Sequence, residues 1–145
     1  MIGIARPAYV PIYAEAKARL GTERTFIVSG DEGLDELSLA GGNELADVTG
    51  GEYKMRRVNA SMAGLPNAPI EAIRGADPQY NAAALKDLLD GKPSAYRDAV
   101  ALNSAAALIV AGAVESWEEG AAMTAEVVDS GKTAALLDKW IEMAK

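Results

Sequence analysis

The sequence predicts an α/β fold: a partial parallel sheet with a βαβ unit and a hairpin at the front, and a helix-rich carboxyl-terminal half. Three observations carry this. Two short apolar runs, MIGIA and TFIVSG, flank the helical stretch VPIYAEAKARLG. Two further strand-like runs meet at Gly50-Gly51. Beyond Asp77-Pro78, capping residues and glycines divide the remaining chain into segments of helical length.

Taken in order, MIGIA is short and β-branched, and Arg6-Pro7 ends it. The next stretch has Pro11 in its first turn and Gly21 just past its end, with Ile12, Ala16 and Leu20 sharing the face expected to be buried. TFIVSG completes a strand–helix–strand unit, whose two strands are expected to be parallel. Residues 44–48 and 52–58 are expected to form the hairpin, ASMAGLPNAP a loop, and Pro69-Ile70 the start of a short helix ending near Gly75. Asp77-Pro78 caps and opens a helix running to Asp90, and Ala95 to Ala111 forms a buried apolar helix. Ser116 and Glu119 make a capping box for a helix ending near Ser130-Gly131. A last helix, Thr133 to Ala144, is expected to turn Leu136, Leu137 and Trp140 inward. Three or four strands are few for such a domain, so either it is small and helix-covered, or part of its sheet lies on residues outside this chain.

The bulk composition narrows the chemistry. A length of 145 residues suits one domain, and 50% hydrophobic with 24% charged residues marks a soluble globular chain. The net charge of −7 argues against binding nucleic acid or an anionic membrane. Cysteine and histidine are both absent, which removes disulfides, thiol nucleophiles, Cys/His zinc sites and histidine-based triads. Carboxylate, lysine, tyrosine and hydroxyl chemistry remain, with hard cations held by oxygen. The missing cysteines fit a reducing cytoplasm, and no secretory leader or membrane span is expected.

Few local signals survive inspection. Gly131-Lys132-Thr133 ends like a phosphate loop, but the first glycine of that motif would fall on Glu126, and a helix rather than a strand precedes it. Asn81 and Asn103 lie in apolar helical stretches and are expected to satisfy backbone groups. Tyr53, Tyr80, Tyr96, Trp117 and Trp140 lack the basic surroundings of a nucleic-acid stacking surface and are read as core or rim, and Lys54, Arg56 and Arg57 as the solvated face of a strand. The segment GDEGLDELS, by contrast, places four acidic residues in nine positions at the carboxyl end of a parallel strand, where ligands collect in open α/β sheets. Consecutive Asp35 and Glu36 can offer oxygens to a hard cation such as Mg²⁺, which binds one or two carboxylates plus substrate phosphates. On local pattern alone this stays open, because an aspartate that merely caps a turn reads the same way.

The same residues carry a resemblance. GLDELSLAG after TFIVSG, then RGADPQYNAAALKDLLDGK, RDAVALNSAAALIVAG and the ending SWEEGAAMTAEVVDSGKTAALLDKW resemble, in order, the carboxyl-terminal portion of the anthranilate phosphoribosyltransferase family. The resemblance covers essentially the whole chain and implies a fragment of the nucleoside phosphorylase/phosphoribosyltransferase-like catalytic domain. On this reading residues 1–145 are the carboxyl-terminal part of that α/β domain, without the amino-terminal helical domain and the phosphate-binding loops. It implies transfer of phosphoribosyl from phosphoribosyl pyrophosphate to anthranilate in tryptophan biosynthesis, with Mg²⁺ as cofactor. It assigns the metal to Asp35 and Glu36, no catalytic residue to this chain, a cytoplasmic setting, and a homodimer formed through segments outside it. The isolated chain is expected to be inactive. Alternatives are a stand-alone binding domain derived from the fold, or a related transferase or nucleoside phosphorylase with another acceptor. The family often has His where this chain has Ser29, and Thr-Gly-Pro where it has Ala40-Gly41-Gly42.

Overall fold

The computed structural model describes all residues, 1–145. One four-stranded sheet runs in the order β1 (Ile2–Gly3), β2 (Arg24–Gly30), β3 (Asn43–Thr49), β4 (Glu52–Val58). β1 and β2 are parallel, with Ile2 opposite Ile27, and α1 (Val10–Arg19) connects them, so the βαβ unit is present. β2–β3 and β3–β4 are antiparallel, and the hairpin turns at Gly50-Gly51 as expected. The sheet is therefore mixed, because the chain returns from β2 through a loop with no crossover helix. Four helices follow: α2 (Pro78–Leu89), α3 (Ala95–Val110), α4 (Trp117–Asp129) and α5 (Lys132–Met143).

The sheet is covered on both faces. Ile27, Ala46 and Val48 meet Val10, Ala14 and Ala18 of α1, while Phe26, Val28, Leu45 and Val58 meet α3 through Leu102, Ala106 and Ile109. Residues 25–30 of β2 are all buried, as a central strand between two layers requires. Trp117 of α4 stacks on Phe26, ring centroids 6.3 Å apart, tying the helical half to the sheet. The expected capping residues act as such: Asp77 accepts from the Tyr80 N–H, and Ser116 and Glu119 form the reciprocal box. Ser94, which the sequence reading did not single out, caps α3 by accepting from the Arg97 N–H.

Several expectations about faces and loops are corrected. α1 buries Val10, Ala14 and Ala18, whereas Ile12 and Leu20 are 61% and 77% exposed. The small alanines let the helix settle close to the sheet, which bulkier Ile12 and Leu20 would prop away. On α5, Leu136 and Trp140 are 66% and 70% exposed and only Leu137 is half-buried, because α2 and α4 cover one side of that helix and nothing covers the other. Tyr80 is likewise exposed, so the core-or-rim reading holds for Tyr53, Tyr96 and Trp117 but not for Tyr80 or Trp140. The stretch after Asn59 contains a 3₁₀ turn at Ala60–Ala63, and Ile70–Ile73 is also 3₁₀ rather than α-helical. No helix is long and apolar enough to cross a membrane.

Candidate cation-binding loop

Residues 31–42 leave the carboxyl end of β2 and return as β3. The first half is a tight turn: the Gly30 N–H donates to the Leu34 carbonyl (2.9 Å) and the Gly33 N–H to the Gly30 carbonyl (3.0 Å). The chain then dips into the core, where Leu37, Ser38 and Leu39 are buried. Two asparagines hold this dip. The Leu37 N–H donates to Asn103 Oδ1 (2.9 Å), and Asn103 Nδ2 donates back to the Leu37 carbonyl (2.9 Å). The Ser38 N–H donates to Asn43 Oδ1 (2.7 Å), and Asn43 Nδ2 donates to the carbonyls of Ser38 (3.1 Å) and Val58 (3.2 Å). Each amide thus substitutes for the strand partner that a non-repetitive backbone lacks. Underneath, the Asp35 peptide lies against Gly3, so closely that a Cβ on Gly3 would overlap the Asp35 carbonyl oxygen.

This anchoring leaves Asp35 and Glu36 exposed and side by side. The four acidic groups do not share one environment. Arg57 of β4 donates to Asp31 Oδ1 (2.8 Å) and Glu44 Oε1 (2.9 Å). Its hydrogen bond holds the Asp31 carboxyl below the usual aspartate range and raises Arg57 further above its own. Gly42 makes this possible, since a Cβ there would run into the Arg57 guanidinium. By contrast, neither Asp35 nor Glu36 takes part in any of the six ion pairs. Glu36, although exposed, is pushed above the ordinary glutamate range, first by partial desolvation of its carboxyl and second by the charge of Asp35. An added cation relieves both costs.

The structure leaves Asp35 and Glu36 adjacent and exposed after β2, and it pairs Asp31 with Arg57 in place of a turn cap. No group of three or more acidic side chains is assembled, so the protein offers a pair and no complete cage. Two hard oxygen ligands, unneutralised and exposed, fit Mg²⁺, which keeps waters and takes its other oxygens from phosphates. Asn103 satisfies backbone, as expected, and so does Asn81, whose amide brackets Ala76 (2.9 and 3.2 Å). Sequence reasoning missed Asn43; its only signal is a buried-strand position directly after Gly41-Gly42. Ser29, the penultimate residue of β2, is fully buried and its hydroxyl lacks a partner, at the position where the resemblance also departs.

The chain is similar to known proteins in sequence and in fold. Residues 1–134 match the model of a glycosyl transferase family, a/b domain. Anthranilate phosphoribosyltransferase of Erythrobacter litoralis is 73% identical over 144 residues, which is 99% of this chain and 44% of that protein. The Novosphingobium aromaticivorans protein of the same name is 60% identical over 141 residues, 97% of this chain and 43% of its own length. Among solved structures, anthranilate phosphoribosyltransferase of Thermus thermophilus superposes with a TM-score of 0.86 at 36% identity, over 97% of this chain and 41% of that one. The Saccharomyces cerevisiae enzyme in complex with PRPP and Mg superposes at 0.87 and 27% identity, with the same coverage. The chain thus spans less than half the length of the relatives it matches. With the family pattern matched through residue 134 and the fold superposing throughout, the chain belongs to the a/b domain of this glycosyl transferase family.

Proposed function

We propose that this chain supplies the cation-holding part of an anthranilate phosphoribosyltransferase, with Asp35 and Glu36 as the ligands of Mg²⁺. The reaction is transfer of phosphoribosyl from phosphoribosyl pyrophosphate to the amino group of anthranilate, a step of tryptophan biosynthesis. The observation that carries this is the unpaired, exposed Asp35–Glu36 pair at the carboxyl end of β2, on a loop anchored from two sides. A stand-alone binding domain or a different acceptor is not favoured, since the similar relatives are named for this one activity.

Mg²⁺, when bound, neutralises the charge that gathers on the pyrophosphate as the bond to the sugar breaks. Asp35 and Glu36 hold that ion and cannot approach pyrophosphate without it, because carboxylate and phosphate repel. The loop's buried half keeps the two carboxylates from collapsing onto the sheet. The helical dimer domain, the phosphate-binding loops and the acceptor site are assigned to the further length the relatives carry. Since positioning supplies much of such catalysis, the 145-residue chain is expected to be inactive alone.

The test is Mn²⁺ binding, read by electron paramagnetic resonance as loss of the free-ion signal. Asp35→Asn with Glu36→Gln should abolish the binding of the unaltered chain while its melting curve stays in place. Equal Mn²⁺ affinity in the two chains would overturn the ligand assignment.

A further inference from the structure

Asn103 sits in the interior of α3, a 16-residue helix, where asparagine is a poor helix former because its side chain competes for backbone groups. Here its amide makes three of the four hydrogen bonds open to it. Nδ2 donates to the Ala99 carbonyl of its own helix (2.9 Å) and to the Leu37 carbonyl (2.9 Å), while Oδ1 accepts from the Leu37 N–H (2.9 Å). Both loop contacts fall on one residue, 66 positions away in sequence. The Leu37 N–H belongs to the peptide that joins Leu37 to Glu36, so the amide fixes the plane from which Glu36 departs.

We propose that Asn103 is a positioning residue for the Asp35–Glu36 pair: α3 holds the two carboxylates in their cation-binding arrangement through the Asn103–Leu37 clamp. This rests on the ligand assignment above. A role in helix stability alone needs only the Ala99 bond, and a role in filling space alone is met by leucine. Neither explains an amide aimed at both backbone groups of the residue next to Glu36. The helix is a rigid support, packed on the sheet through Leu102, Ala106 and Ile109. Asn103 and Glu36 also share the wall of one hollow of about 450 Å³ between α3 and the loop, so the clamp stands at the pair's own edge. Asn81 makes the same two-sided clamp on Ala76, but no acidic pair adjoins it. Groups that orient ligands without touching the ion commonly account for about 10–100-fold in metal affinity.

Asn103→Ser separates the roles. A serine can bond back to the Ala99 carbonyl but is too short to reach Leu37. Its Mn²⁺ affinity should drop by about 10-fold or more, and the Leu37 amide should exchange hydrogen faster. Ile109→Ala, a core residue six positions further along the same helix that makes no hydrogen bond to Leu37, serves as the control for general destabilisation. It should lower the melting temperature while leaving Mn²⁺ affinity within about twofold. Asn103→Leu, which keeps the volume and removes every bond, should match the serine variant if it folds. Asn103→Ser binding Mn²⁺ like the unaltered chain, or Ile109→Ala weakening it equally, overturns the proposal while leaving the ligands standing. If neutralising Asp35 and Glu36 leaves Mn²⁺ binding intact, the ligand assignment fails first and this proposal falls with it.

Discussion

The two ends of the acidic loop carry the same charge and do different work. At Asp31, Arg57 crosses from β4, bridges to Glu44 as well, and turns a carboxylate into a pin for the loop. At Asp35 and Glu36, no cation arrives, and backbone-directed amides hold the segment instead. The difference teaches that acidic density in a sequence does not identify a metal site. What matters is which carboxylates the fold leaves unpaired, and how firmly it holds them in that costly state.

Gly3→Ala should break this arrangement most severely. The added methyl overlaps the Asp35 carbonyl, which is backbone and cannot swing aside as a side-chain tip does. Overpacking of this kind costs about 1–3 kcal/mol, so the thermal melt should drop and Mn²⁺ binding weaken together. An unchanged melt and unchanged affinity would mean that the loop does not depend on its seat against β1.

A smaller effect should sharpen the contrast. Asp31→Asn removes the pinned carboxylate but not the exposed pair. Since both partners are about half exposed, the loss should be about 0.2–1 kcal/mol in denaturant unfolding, with Mn²⁺ affinity unaltered. Weakened Mn²⁺ binding in this variant would erase the distinction between the two ends.

The finest test needs no loss of function, because the carboxyls at the two ends should be shifted in opposite directions from their ordinary values. Carboxyl NMR should show Asp31 below the ordinary aspartate value and Glu36 above the ordinary glutamate value. Asp31, with its lowered pKa, contributes stability that is present above its unfolded pKa and is lost as pH falls through the folded value. For Glu36 the sign reverses: its contribution is present below the unfolded pKa and is lost as pH rises through the raised one. Arg57→Gln should return Asp31 toward the ordinary value, and Asp35→Asn should remove part of the Glu36 shift. Two carboxyls titrating alike would show that the fold does not separate them.

Much of this was legible in the sequence, for local reasons. Asp77-Pro78, the Ser116–Glu119 box and Gly50-Gly51 each fix a boundary through bonds made within a few residues, and each boundary stands where the sequence placed it. That Asp35 and Glu36 stand side by side after a strand needed only adjacency, whereas choosing them over the other acidic residues of the loop needed the family resemblance. Faces were less legible. Ile12 and Leu20 lie on the same kind of stripe as Val10, Ala14 and Ala18, and hydrophobicity favours the wrong one. The sheet chose the stripe whose small side chains allow close approach. On α5, periodicity marks an apolar face at Leu136 and Trp140 that no neighbour in this chain covers.

By itself, then, the sequence determined the succession of strands and helices, their ends, and the acidic pair, because caps, turns and neighbouring residues act over one or two turns of chain. Only the tertiary structure decided which carboxylates are neutralised and which stay free. Arg57 meets Asp31 across 26 positions, and Asn103 meets Leu37 across 66, so packing of β4 and α3 around the loop sets those partners, and no local pattern encodes them.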